Sequence, residues 1–168
     1  MGAALAAFLL VRGWSLNRIG LRRTLLETGI GLLLVAVTYV PWIAIWILVA
    51  GFSPPTGEAA KNITFAAPGV GLWTAAAASF VNGMFEEIFI CGYVIAALKD
   101  RTTPWTTINI SVGIRLLYHL YLGPYGMIFV VLVGVTLGYW YAYRGRLWPP
   151  IVAHGVMDFV ALYEFVGG

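Results

Sequence analysis

The sequence predicts an all-α protein, a polytopic bundle of transmembrane helices in one integral-membrane domain covering residues 1–168. Apolar residues make up 61% of the chain and charged residues only 10%, whereas an ordinary soluble domain has roughly 45–50% and about 25%. The apolar residues also fall in runs of the length that crosses a hydrocarbon core about 30 Å thick. These observations exclude a soluble enzyme, a disordered tail and a nucleic-acid binder.

Five apolar runs are long enough for full spans, since a spanning helix needs roughly 20 mainly apolar residues. The first is uncharged throughout and contains Pro41, which a membrane helix tolerates better than a soluble one. A sixth run, residues 3–11, is too short to span and is expected to be a short or truncated N-terminal helix. The five predicted spans are residues 29–51, 68–98, 103–122, 124–143 and 147–166.

The basic residues predict the orientation, because short loops rich in Lys and Arg stay in the cytoplasm. Three loops that five spans would place on one side carry these residues, whereas the opposite loop, residues 52–67, holds only Lys61. We therefore expect a protein of the cell membrane whose C-terminus lies outside. The basic residues are Arg12, Arg18, Arg22 and Arg23 in the first loop, Lys99 and Arg101 in the second, and Arg144 and Arg146 in the third.

Six ionisable residues lie deep in the predicted spans, where charge is costly and faces the bundle interior or a wet cavity. Four form two pairs with a spacing of four residues, so each pair shares one helix face. A rise of 1.5 Å per residue puts Glu86, His119 and His154, one on each of three spans, about 12–22 Å from the predicted cytoplasmic edge. We expect them to meet in one polar cavity open to the cytoplasm. The six are Glu86, Glu87, Arg115, His119, His154 and Asp158.

This set of side chains suits the activation of a water molecule. Glu86 and His119 would hold the water, with Glu86 as the general base. His154 would stabilise a developing oxyanion. Asp158, one turn further on, would orient the His154 imidazole. Glu87 points about 100° away from Glu86 on an ideal helix, so the two are not expected to reach the same spot and Glu87 is given a supporting role.

Three motifs on these spans resemble those of the CAAX protease and bacteriocin-processing family, which includes the type II prenyl endopeptidases. The first family motif, Glu-Glu-x-x-x-Arg, is similar to residues 86–91, where Glu86-Glu87 begins the match. The second, Phe-x-x-x-His, is similar to residues 115–119, and the third, His-x-x-x-Asn or Asp, to residues 154–158. The resemblance covers residues 71–159, the expected protease-like core.

The resemblance implies an intramembrane endopeptidase that works in a cavity between helices on a peptide or lipidated-protein substrate. Carried over by position, Glu86 and His119 activate water, while His154 and Asp158 form the oxyanion side. A glutamate mechanism without a metal cofactor is the preferred interpretation. If a zinc ion takes part, Glu86, His119 and His154 are the candidate ligands, because catalytic zinc accepts two His and one Glu.

The sequence departs from the family pattern at two positions. Cys91 stands where the first motif has Arg, and Arg115 stands where the second has Phe. Without a cation nearby, Glu87 would be a buried, unpaired carboxylate. We therefore predict that Arg115 supplies the missing charge from the next helix, within about 4 Å of Glu87, and that Cys91 packs in the core and is not a nucleophile.

Two other kinds of function remain open. Intramembrane carboxylates and histidines also build small transporters and proton relays, although no inverted repeat is visible here. The lost motif arginine favours a non-catalytic scaffold or an immunity-type protein on the same fold. A cleavage assay that compares the wild-type protein with Glu86→Ala separates these alternatives.

Overall fold

A computed structural model describes residues 11–15, 17–52 and 71–166, and it contains helices and no strands in that part of the chain. The predicted all-α class is confirmed. Residues 3–10 of the predicted short helix and most of the loop at 52–67 lie outside the described residues. The main helices are α1 (Leu25–Phe52), α2 (Leu72–Leu98), α3 (Pro104–Tyr118), α4 (Gly123–Arg144) and α5 (Trp148–Val166).

The prediction of five full spans is wrong in number. Among the described helices, three are long and apolar enough to cross a membrane, namely Leu25–Leu48, Leu72–Leu98 and Leu120–Arg144. Helix α3 has 15 residues, or about 22 Å at 1.5 Å per residue, and the apolar part of α5 is similarly short. An apolar run does not reveal where its helix ends, and α3 ends at Tyr118, well before the run does.

The end of α3 has a local cause. His119 leaves the helical conformation, with φ −106° and ψ 11°. A 3₁₀ turn, Leu120–Leu122, follows, and Gly123 then adopts a φ of 68°, which glycine accepts without a steric penalty. Helix α4 therefore starts in a new direction, and α3 stops with its polar C-terminal turn inside the bundle.

Helix α2 changes its hydrogen-bond pattern in the middle. The segment Leu72–Glu87 is α-helical, Ile88–Ile95 is π-helical, and Ala96–Leu98 is again α-helical. Short π-helical segments inside α-helices occur frequently at functional sites. In this helix the change begins directly after the two adjacent glutamates.

Glycines allow the helices to approach closely. A Cβ atom on Gly83 in α2 would lie 2.7 Å from the backbone nitrogen of Gly155 in α5. The motif formed by Gly134 and Gly138, expected from the sequence to be a packing feature, faces α3: a Cβ on Gly134 would lie 2.9 Å from a methyl carbon of Val112. Small residues thus bring α2 to α5 and α4 to α3, which places the three polar helices around one centre.

The three basic loops lie at one end of the bundle. Ile19, Ile95 and Leu147 share one buried core cluster, and Ile95 is one turn before Lys99. The backbone nitrogen of Leu147 donates to the carbonyl of Gly20 at 3.1 Å, and Arg146 pairs with Glu27 at 3.0 Å. The predicted orientation requires these loops to share one side, and the packing agrees with that requirement.

Candidate active site

Glu87 forms the centre of a buried polar cluster. It is fully buried, and its Oε1 accepts a hydrogen bond from Arg115 Nη2 at 2.5 Å. His154 Nδ1 lies 2.6 Å from the same oxygen, and the Cys91 thiol donates to Oε2 at 3.1 Å. Arg115 is only 1% exposed, and the predicted contact between Arg115 and Glu87 is present. A buried charge needs such a partner, because an unpaired one strongly destabilises a fold.

The members of this cluster come from three helices, with Glu87 and Cys91 both on α2. Glu87 is the last residue of the α-helical part of α2, and Arg115 lies in the last turn of α3. His154 lies in the first half of α5, on its buried side. Because α3 ends beside Glu87, the guanidinium of Arg115 in its last turn lies inside the bundle.

Glu86 is the more accessible of the two glutamates. Its side chain is 13% exposed. Its Oε2 accepts a hydrogen bond from the Tyr118 hydroxyl at 2.7 Å, and its Oε1 accepts one from Asn82 Nδ2 at 3.2 Å. Arg115 Nη1 lies 3.6 Å from Glu86 Oε2. The two adjacent glutamates thus face different terminal nitrogens of one planar guanidinium, and their other partners differ.

His154 lies between three carboxylates. Its Nδ1 faces Glu87, whereas its Nε2 lies 3.4 Å from Asp158 Oδ1 and 4.0 Å from Glu86 Oε2. The predicted pair of His154 and Asp158 on one face of α5 is present. The shorter contact with the ring is nevertheless made by Glu87, a neighbour that the spacing within one helix does not reveal.

His119 sits at the rim of the cluster. It is half-buried at the C-terminus of α3, and its Nδ1 lies 3.0 Å from the backbone oxygen of Arg115. In the described structure it forms no ion pair with Glu86. The ring of Tyr118, which bonds to Glu86, packs against His119 with the ring centroids 4.5 Å apart. The two predicted water-binding residues are thus connected through Tyr118 and are not in direct contact.

Sequence reasoning missed Asn82 and Tyr118. Asn82 Nδ2 also lies 2.8 Å from Asp158 Oδ2, so this amide connects two of the predicted site residues. Counting only ionisable residues in the spans overlooks both side chains. A count that included amides would have drawn attention to Asn82, because it lies one turn before Glu86 on the same helix face.

The zinc alternative needs Glu86, His119 and His154 to converge on one point. Within the described residues, no group of three or more His, Cys, Asp or Glu side chains is placed to hold a metal ion. His119 Nδ1 faces a carbonyl of its own helix, which leaves Nε2 as the ring nitrogen that could bind a ligand.

Comparison with known families gives one match. The family described as "Type II CAAX prenyl endopeptidase Rce1-like" matches residues 68–160, which is more than half of the chain. The matched region nearly coincides with residues 71–159 and includes all six ionisable residues of the spans. No curated protein and no solved structure matches the chain significantly.

Proposed function

This chain belongs to the Rce1-like family of type II CAAX prenyl endopeptidases, and from that membership we propose that it hydrolyses a peptide bond with a water molecule activated by Glu86. The family and the apolar helices make it an integral membrane protein of a protease family. The proposed substrate is a peptide or a lipidated protein that reaches the cavity from the membrane. The proposed location is the cell membrane, with the cavity open to the cytoplasm.

The observation that supports this proposal most is the different environment of the two glutamates. Glu87 is fully buried and paired with Arg115 and His154, whereas Glu86 is partly exposed, with one hydrogen-bond donor on each oxygen. A general base must reach water and must be held in a fixed geometry. Glu86 meets both requirements, and Glu87 fits a positioning role.

The proposed reaction follows from these positions. Glu86 takes a proton from water while the water oxygen attacks the carbonyl carbon of the substrate. His154 Nε2, on the side of Glu86, donates to the oxyanion that forms. Glu87 holds the opposite ring nitrogen and Asp158 flanks Nε2. The proton on Glu86 then passes to the leaving amine as the C–N bond breaks, which gives a carboxylic acid and an amine and regenerates the carboxylate.

His119 is proposed to complete the water site. It lies beside Tyr118, which is bonded to Glu86, so a water molecule between the Glu86 carboxylate and the imidazole would have two polar partners. No metal ion takes part in this scheme.

The test is cleavage of a prenylated CAAX peptide by the purified protein in nanodiscs. Glu86→Gln keeps the shape of the side chain and removes the base, so the rate should fall about 10²- to 10⁴-fold. His119→Ala and His154→Ala should also lose most of the activity. Glu27→Gln is the matched control, since it removes a carboxylate that is paired with Arg146 at the end of the bundle.

Three results would contradict the proposal. Full activity of Glu86→Gln would exclude Glu86 as the base. No cleavage by a correctly folded wild-type protein, with either a prenylated or an unmodified membrane-tethered peptide, would favour the non-catalytic scaffold. Activity that is lost with a chelator and restored by zinc would replace the metal-free mechanism.

A further inference from the structure

Two polar side chains that the family motifs do not specify contact the predicted base. Asn82 Nδ2 donates to Glu86 Oε1 at 3.2 Å, and the Tyr118 hydroxyl donates to Glu86 Oε2 at 2.7 Å. Both side chains are exposed, Tyr118 to 39%. Each oxygen of the Glu86 carboxylate therefore has one fixed donor.

The Asn82 amide has a second partner. The same nitrogen lies 2.8 Å from Asp158 Oδ2, and an amide NH₂ group has two hydrogens to donate. One hydrogen can serve the carboxylate on α2 while the other serves the carboxylate on α5. Asn82 thus fixes the distance between Glu86 and the acidic residue that flanks His154.

We propose that Asn82 and Tyr118 are positioning residues for hydrolysis: together they hold the Glu86 carboxylate from both oxygens, and Asn82 ties it to Asp158 across the cavity. This inference rests on the proposed function, because it assigns the two residues to the reaction in which Glu86 is the base. Two donors at fixed positions hold the Glu86 carboxylate in one orientation. In that orientation its remaining lone pairs are available to a water molecule.

The chemistry of the Asn82 contacts suggests a discriminating substitution. Asn82→Asp keeps the size of the side chain but replaces a shared donor with a third carboxylate beside Glu86 and Asp158. If Asn82 acts through its amide, Asn82→Asp should lower kcat more than Asn82→Ala does, because like charges at this distance repel. If Asn82 only fills space, Asn82→Asp should lower kcat less than Asn82→Ala does, because aspartate has the same size as asparagine.

Tyr118 allows a similar comparison. Tyr118→Phe removes the hydroxyl and keeps the ring that packs on His119. Loss of a hydrogen bond to a charged group should reduce kcat about 10- to 100-fold, with little change in KM. Tyr118→Leu should be no more than slightly worse if the hydroxyl is the active feature.

The experiment measures cleavage of the prenylated peptide by the purified protein together with the thermal unfolding of the protein in the same nanodiscs. The controls are Asn109→Asp and Tyr143→Phe, which make the same changes at exposed positions of α3 and α4. A lower unfolding temperature for Asn82→Asp than for Asn82→Ala, with the difference removed in a Glu86→Gln/Asp158→Asn background, would support the contacts without any use of activity.

The outcomes separate the two proposals. Cleavage that is lost in Glu86→Gln but unchanged in Asn82→Asp and Tyr118→Phe would overturn this inference and leave the proposed function intact. Cleavage that is unchanged in Glu86→Gln would overturn the proposed function. Equal unfolding temperatures for Asn82→Asp and Asn82→Ala would show that the amide does not bridge the carboxylates and would also overturn the inference.

Discussion

Arg115 is the residue in which the two departures from the family pattern come together. Its Nη2 is bonded to Glu87 and its Nη1 faces Glu86 at 3.6 Å, so one guanidinium lies beside both adjacent carboxylates. The thiol of Cys91, at the position of the motif arginine, contacts the other oxygen of Glu87. The charge that the family pattern places on α2 is thus supplied by α3.

The first residue-scale prediction concerns this ion pair. Arg115→Leu leaves Glu87 buried without its cation, and breaking one side of a buried pair costs about 3–5 kcal/mol. The free energy of unfolding, measured by denaturant titration in detergent, should fall by that amount, and cleavage should fall with it. Arg101→Leu removes the same charge from an exposed loop position and should change stability by less than about 0.5 kcal/mol.

The double variant Cys91→Arg/Arg115→Phe examines the same idea in the opposite direction. It restores the family residues at both positions and should recover much of the stability lost in Arg115→Leu, because an arginine at position 91 lies one turn from Glu87. A stable, active Arg115→Leu protein would contradict the compensation and would mean that Glu87 needs no cation.

At the scale of the helices, close approach of α2 and α5 holds the site together. Glu86 and Glu87 lie on α2, His154 and Asp158 on α5, and Gly83 and Gly155 form the contact between the two helices just beside them. In a membrane, such small residues replace the hydrophobic driving force by allowing backbones to pack closely. The distance between His154 and the glutamates depends on this glycine contact.

We expect Gly83→Ala to destabilise the protein by about 1–3 kcal/mol, the usual range for overpacking. The added methyl would meet the backbone of Gly155 at 2.7 Å, and backbone cannot rotate away. Gly113→Ala in α3 is the control, since a Cβ there has no neighbour within 4 Å and alanine in a helix should be neutral or stabilising by up to about 1 kcal/mol. Equal unfolding free energies for the two variants would contradict the importance of this contact.

At the scale of the whole molecule, the position of the basic loops predicts how the helix bundle is oriented in the membrane. Three basic loops lie at one end, around Ile19, Ile95 and Leu147. Helix α2 has 27 residues, about 40 Å at 1.5 Å per residue, and it runs toward this end from the far side. Helix α2 is therefore long enough to separate the loop at residues 52–67 from the basic loop at Lys99.

Cysteine labelling can test this topology in intact cells. In a Cys91→Ser background, Glu58→Cys and Asp100→Cys lie on either side of α2 and should react with a membrane-impermeant reagent from opposite sides. Arg22→Cys should behave as Asp100→Cys does, because the first and second basic loops share one end. Labelling of positions 58 and 100 from the same side would contradict the spanning role of α2.

The helical membrane class, the family motifs and the six ionisable residues of the spans could all be predicted from the amino-acid sequence. Composition and the length of the apolar runs predict the helical membrane class, because lipid requires helices that satisfy their own backbone hydrogen bonds. The spacing of four residues also predicts that His154 and Asp158 share one face of α5. The contact of Arg115 with Glu87 could be predicted as well, since a buried carboxylate without its usual cation demands another partner.

Three features became visible only in the folded protein. They are the end of α3, the close contact of His154 with Glu87 in place of Asp158, and the hydrogen bonds of Asn82 and Tyr118 to Glu86. A run of apolar residues looks the same whether its helix continues or turns, so the run does not reveal that His119 leaves the helical conformation and that Gly123 turns the chain. Contacts between residues on different helices depend on helix rotation and separation, which the glycine contacts of α2 with α5 and α3 with α4 fix. Spacing along one helix contains no information about either quantity.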